Sequence, residues 1–252
     1  MNDLVSRNPW ALLKSHTSAR IALGRCGGSL PTASLLEFQL AHARARDAVH
    51  KPFAGDTLQS AIETHGIEVL RVRSRVAERS MYLRRPDLGR WLDDESRERL
   101  ARHANKGCDA NFVIADGLST LAVESHAQAV FELTQAALLR RGWRIGPVVI
   151  AEQSRVALGD EIGELLGAQQ VAMLIGERPG LSAADSLGIY LTWQPRVGRT
   201  DAERNCISNI HPRGLSCEQA AHKLVYLMTE ARTRGLTGVA LKDESDRVPL
   251  LV

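Results

Sequence analysis

Apolar residues change their spacing partway along the chain, and the change marks its organisation. Up to about residue 106 they recur mostly at helical intervals. Leu35, Leu36, Leu40 and Ala43 lead toward Val49, behind Thr32 or Ser34 as a starting cap and Glu37 as a capping-box partner, and Pro52 ends the run. The pattern then predicts a short helix over 56–64 and an extended piece over 68–72, after Gly66. A third helix is expected to open at Pro86 and run to about Ala104, closed by Lys106-Gly107 as a glycine cap. From Asn111 onward, short apolar runs alternate with amphipathic stretches. The runs lie at 112–115, 147–151, 171–175 and 188–193. Between them, Val123, Ala127, Val130, Phe131 and Leu138 share one helical face, and 160–166 is a second, shorter helix. The last helix has the clearest start: Ser216 and Gln219 form a capping box, and Ala220, Leu224, Leu227, Met228 and Ala231 repeat behind it. Apolar runs separated by amphipathic helices imply a parallel sheet covered on both faces. The expected class is therefore α/β. A mainly helical region over residues 1–106 precedes a Rossmann-like, doubly wound, mostly parallel sheet over residues 107–252.

Composition narrows the function more than the fold. In 252 residues, Lys+Arg 32 against Asp+Glu 29 leaves a net charge of only +3, and aromatics make up 4%. Neither a basic field nor an aromatic platform for stacking bases is present. No apolar run approaches the roughly 18 residues that span a bilayer, and the first residues lack the blocks of a secretory signal. Cys26, Cys108, Cys206 and Cys217 are scattered without a C-x-x-C pair, as expected of reduced thiols in a cytosolic protein. Arginine greatly outnumbers lysine, which occurs only at 14, 51, 106, 223 and 242. Genome composition is the preferred explanation of this bias, and planar forks aimed at carboxylates or at another subunit would leave the same composition.

In an open parallel sheet, ligands bind beyond the carboxyl ends of the strands. That rule selects 116–120, 153–156, 176–180 and the loop before Ser216. Each has a structural alternative. Asp116-Gly117 makes a turn by itself, with the aspartate bonding the backbone ahead. Glu177-Arg178 forms either an exposed ion-paired turn or an acceptor for a polar ligand. Cys206 with His211 suggests a thiol nucleophile, but a packed thiol suits an aperiodic segment better. Neither a zinc-helix spacing nor a dinucleotide or phosphate-loop fingerprint occurs. Taken singly, these features describe a ligand-binding α/β protein, and a free-standing, non-catalytic nucleotide- or cofactor-binding module stands as one reading.

Five stretches in sequence order resemble the small (light) subunit of ethanolamine ammonia-lyase. They are Tyr82-Leu83-Arg84-Arg85-Pro86-Asp87-Leu88-Gly89-Arg90, Asp116-Gly117-Leu118-Ser119-Thr120, Ile162-Gly163-Glu164-Leu165-Leu166-Gly167-Ala168, Gly176-Glu177-Arg178-Pro179-Gly180-Leu181 and Cys206-Ile207-Ser208-Asn209-Ile210-His211. The similarity covers residues 8–238. It implies an adenosylcobalamin-dependent lyase that turns ethanolamine into acetaldehyde and ammonia by a radical route. It also implies a separate large subunit holding the substrate, with this chain helping to enclose the cobalamin between them. Three cobalamin contacts carry over by the resemblance: Val156, Glu177 and Cys206. No catalytic or metal-binding residue carries over to this chain. The histidine-ligand motif Asp-x-His is absent, which fits base-on binding and leaves His211 a structural role. Related small subunits often have a long extension before the Asn-Pro segment, implicated in packing into a bacterial microcompartment. Here Asn8-Pro9 comes almost at once, and the expected location is cytoplasmic, with the microcompartment interior as the family's alternative.

Overall fold

A computed structural model describes residues 5–6, 8–103 and 106–249. Six strands form one sheet in the order β1-β3-β2-β4-β5-β6. They are β1 (Val69–Arg73), β2 (Ala110–Ala115), β3 (Val148–Glu152), β4 (Gln170–Gly176), β5 (Leu187–Trp193) and β6 (Arg204–Ile210). The first four in that order are mutually parallel, while β5 and β6 run antiparallel to their neighbours. The edge strand β1 comes from the mainly helical region, so the sheet draws on both sides of residue 106. Every residue of β2 and β4 is buried, which is why both read as unbroken apolar runs rather than alternating ones.

One sheet face packs on α6 (Gln128–Leu139), which follows the short α5 (Thr120–Ala122), and on α8 (Cys217–Arg234), with Phe112, Ile114, Leu174 and Ile189 meeting Phe131, Leu138, Leu224 and Met228. Phe112 and Phe131 meet edge to face at 5.2 Å, the offset that ring quadrupoles favour. The opposite face packs Val113, Val149, Val171 and Met173 on Leu158, Ile162 and Leu166 of α7 (Leu158–Leu166) and on Leu100 of α4 (Asp94–Arg102). This second layer thins toward β5 and β6, where Tyr190 is half-buried and Cys206 exposed. Both expected partners of the capping box on α8 are present: the Gln219 amide donates to Ser216 Oγ at 3.2 Å, and the Ser216 amide to Gln219 Oε1 at 3.1 Å. Among the described residues, no helix is long and apolar enough to cross a membrane.

The N-terminal elements depart from the expected pattern in detail. α1 (Thr32–His50) starts after Pro31 without a side-chain cap, so Thr32 and Ser34 lie inside the helix. α2 (Gly55–Glu63) falls where a short helix was expected. The third helix does not open at Pro86. A short α3 (Arg79–Arg84) precedes it, and α4 begins only after Asp93, whose Oδ1 accepts from the Ser96 amide at 2.8 Å. Two causes are visible. Arg85, held ahead of a proline, leaves the helical region at φ −125°, ψ 71°, and Leu92 pairs with Ser74 in an extended bridge. Gly107, at φ +82°, is not seen capping α4; its amide bonds Leu166 O at the end of α7. Ala104 lies outside the described residues. The segment 206–211, expected to be aperiodic, is largely strand β6.

Candidate cofactor-contact site at the strand ends

The carboxyl ends of β2, β3 and β4 converge on a cavity of about 340 Å³ lined by Tyr82, Arg155, Val156, Glu177, Arg178 and Tyr190, among others. Its floor is built from backbone. Asp116, at the end of β2, is 2% exposed and accepts from the amides of Gly117 (2.9 Å), Gln153 (2.9 Å) and Ser154 (3.1 Å), with Arg79 Nη1 at 3.4 Å. Burial pushes its pKa up to about 6 against the pull of these amides and of Arg79. Both oxygens are committed to the protein, so the turn role anticipated for Asp116 is its role, and it ties the ends of β2 and β3 together. Gly117 and Gly176 let the next turn close: a methyl group on Gly117 would stand 2.2 Å from Gly176 O, and Gly117 also sits at φ +55°. Beneath the cavity the fully buried Tyr82 donates its hydroxyl to Ser154 O at 2.7 Å.

Val156 lies on the turn between β3 and α7, two residues before the helix starts. Its side chain is partly buried on the apolar layer under α7, yet it faces the cavity. Glu177 follows β4. Its amide bonds Ser186 O at 3.0 Å, continuing the β4–β5 ladder, and its carboxylate folds back over Gly188, where a methyl group would stand 2.3 Å from Oε1. The Tyr190 hydroxyl donates to the same Oε1 at 3.4 Å. Burial raises the Glu177 pKa, and the Tyr190 bond partly offsets this. No ion pair forms between Glu177 and Arg178 among the described residues, so the exposed, ion-paired turn is not what the segment makes.

Cys206 sits directly opposite Tyr190 in the β5–β6 ladder. It is an exposed residue, not the packed thiol that its aperiodic surroundings suggested. Desolvation raises its thiol pKa, with Tyr190 pulling it back, the opposite of what an activated nucleophile needs. His211 spends its ring on Asn209 Oδ1 at 2.8 Å and on the Arg213 amide at 3.3 Å. The thiol–imidazole pair is therefore not assembled. Val156 and Glu177 share one cavity, while Cys206 lies one strand away and is linked to it through Tyr190. Tyr190, Tyr82 and Arg155 also line the cavity, and sequence reasoning assigned them no role, although Arg155 lies within 153–156 and Tyr82 opens the first resembling stretch. Their roles depend on cross-strand register and on a buried ring, neither of which leaves a periodic signal.

These features define a class: a mixed α/β protein with a strand-end cavity that holds an acceptor carboxylate and an apolar wall. The chain belongs to the ethanolamine ammonia-lyase light-chain family (EutC), whose family model matches residues 7–242. It is 57% identical over 249 residues to the ethanolamine ammonia-lyase small subunit of Xanthomonas campestris pv. campestris strain B100, covering 97% of this chain and 91% of the relative. Its identity to the small subunit of Azotobacter vinelandii is 55% over 245 residues, 96% and 90% of the two chains. To that of Pseudomonas aeruginosa strain PAO1 it is 53% over 247 residues, 97% and 90%.

Proposed function

We propose that this chain is the small subunit of an adenosylcobalamin-dependent ethanolamine ammonia-lyase, and that it contacts the cofactor through Val156, Glu177 and Cys206 where it meets the large subunit. The observation that carries the reading is the convergence of Val156 and Glu177 on one strand-end cavity, with Cys206 joined to it through Tyr190. All three contacts fall within residues 107–252, the Rossmann-like cobalamin-contacting part. The residues suit the group. Glu177 has a fixed carboxylate without a protein cation and can accept from a corrin amide. Val156 offers an apolar surface and Cys206 a small polarisable one. A cavity of about 340 Å³ is at the small end of ligand sites, so this chain covers only part of a corrinoid and a second chain supplies the remaining wall.

When bound, the cofactor supplies the radical chemistry of its cobalt–carbon bond. This chain orients the corrin through fixed contacts and keeps water from the enclosed face. It needs no general acid or base to do so. Ethanolamine is held mainly by the large subunit, and the reading carries a cytoplasmic location, within a microcompartment where one encloses the enzyme. The test is co-expression with the large subunit from the same source, followed by an acetaldehyde assay on ethanolamine. Activity is expected only with both chains and adenosylcobalamin present. A well-folded complex that makes no acetaldehyde, or a large subunit equally active alone, overturns the reading.

A further inference from the structure

Charge does not balance within the strand-end cavity. Glu177 is the one carboxylate among its lining residues, against the two guanidinium groups of Arg155 and Arg178. Neither arginine has a carboxylate within ion-pair distance among the described residues. Arg155 is the more constrained. Its amide bonds Gly89 O at 2.8 Å, its guanidinium lies 4.1 Å from the centre of the Tyr82 ring, and Nη2 donates to Tyr82 O at 3.1 Å. Its Nε is buried without a partner. Gly89 leaves the room for this stem, since a methyl group there would stand 3.0 Å from Arg155 Cγ. Arg79, over the same ring at 4.7 Å, also buries one nitrogen without a partner, Nη2, but its charge is met by Asp116 at 3.4 Å and it donates to Gly117 O at 2.8 Å. A guanidinium held over a ring, partly buried and short of hydrogen bonds, is an incomplete anion site. Its fork matches a carboxylate or a phosphate. The positive end of α7, which starts three residues on, abuts the same turn and favours an anion there.

We propose that Arg155 is the subsite for the phosphodiester of the corrinoid's nucleotide loop, held beside the Val156 and Glu177 contacts. The assignment rests on the cobalamin reading above. It accounts for the excess positive charge, because the phosphodiester is the one permanently anionic group of an otherwise amide-fringed ligand. Arg155 is ready to receive it: the ring contact and the Tyr82 carbonyl have already restricted its rotamers, so little freedom is lost on binding.

The test uses the assembled two-subunit complex and two corrinoids that differ by the phosphate alone, cobinamide phosphate and cobinamide, with dissociation constants from equilibrium dialysis. The wild-type complex is expected to prefer the phosphate-bearing ligand by roughly tenfold or more, the scale of a charge-assisted pair. Arg155→Met, which keeps a stem over Tyr82, should bring that preference close to one. Arg155→Lys should keep part of it, as a point charge without the fork, and serves as the second variant if Arg155→Met fails to assemble. A wild-type preference near one, or a preference unchanged in both variants, overturns the assignment. So does a variant that weakens subunit association while leaving the preference intact, which would give Arg155 to a carboxylate of the partner. A wild-type complex that binds neither of these corrinoids nor adenosylcobalamin fails at an earlier step and removes the cobalamin reading itself.

Discussion

The two longest helices among the described residues have opposite surroundings. α8 spans 18 residues and buries eight of them, among them Leu224, Leu227 and Met228. α1 spans 19 and buries only Ala48. Leu35, Leu36, Phe38 and Leu40 of α1 are exposed, as are Trp10, Leu12 and Leu30 nearby. One helix closes a core that this chain completes by itself. The other leaves large apolar side chains exposed, and contiguous patches of such side chains mark surfaces meeting another molecule. The sheet and its two layers are thus a self-sufficient body, whereas the N-terminal helical surface leaves its large apolar side chains uncovered. That division suits a small subunit, whose relatives are named for the enzyme they form part of.

Breaking the self-sufficient part should have the largest effect. Arg204 opens β6 and forms a two-pronged ion pair with Asp160 of α7, at 2.5 and 2.8 Å, with the two side chains 2% and 3% exposed. It is the buried link between the strand that carries Cys206 and the helix that follows Val156. Arg204→Met leaves Asp160 buried and unpaired, at a cost of about 3 to 5 kcal/mol, read as a lower urea midpoint. A loss below about 1 kcal/mol would show that water reaches Asp160 and that the pair is not what holds β6.

The helix comparison can be tested directly with one truncation on each side. Leu224→Ala, at a fully buried position, should cost at least about 2 kcal/mol through lost transfer energy and the cavity left behind. Leu36→Ala, at a position 57% exposed, should stay within about 0.5 kcal/mol in the isolated chain. The same urea titration measures both. Equal losses would mean that α1 is packed in solution in a way that contradicts the contrast.

These positions also show what the sequence could convey. The buried strands β2 and β4 were legible because burial on both faces writes an unbroken apolar run, and α8 because Ser216 and Gln219 announce its start. β6 was not, since a register shift between Leu187 and Ile189 and the positive φ of Asn209 break its alternation. The helix expected from Pro86 was misplaced because a tertiary bridge at Leu92 holds that stretch extended. At the site, the strand-end rule by itself points to 153–156 and 176–180. Tyr190 and the Arg204–Asp160 pair stayed invisible, because strand register and a contact 44 residues apart set them. Some of the abundant arginines do aim forks at carboxylates, a use that composition could not separate from genome bias.

The smallest change in stability should carry an informative change in binding. Three glycines around the cavity are close-packed, but against different things. A methyl group on Gly176 would stand 2.0 Å from Ser119 O, and one on Gly117 2.2 Å from Gly176 O, both backbone atoms that cannot retreat. On Gly188 the nearest atoms would all belong to the Glu177 side chain, Oε1 at 2.3 Å and Cδ and Cγ at 3.0 Å, and a side chain can swing away where backbone cannot. Gly188 shows no positive φ, so alanine fits the strand conformation. Gly188→Ala is therefore expected to keep the fold within about 1 kcal/mol while pushing Glu177 off Tyr190. Cobalamin affinity of the assembled complex, measured by equilibrium dialysis, should fall by roughly tenfold, the scale of a hydrogen bond to a charged group. Unchanged affinity in a stable variant would mean that the carboxylate works from another position, and Glu177 would lose its place as a fixed contact. A fall in both affinity and stability would instead show that Gly188, like Gly176, belongs to the self-sufficient body rather than to its ligand-facing edge.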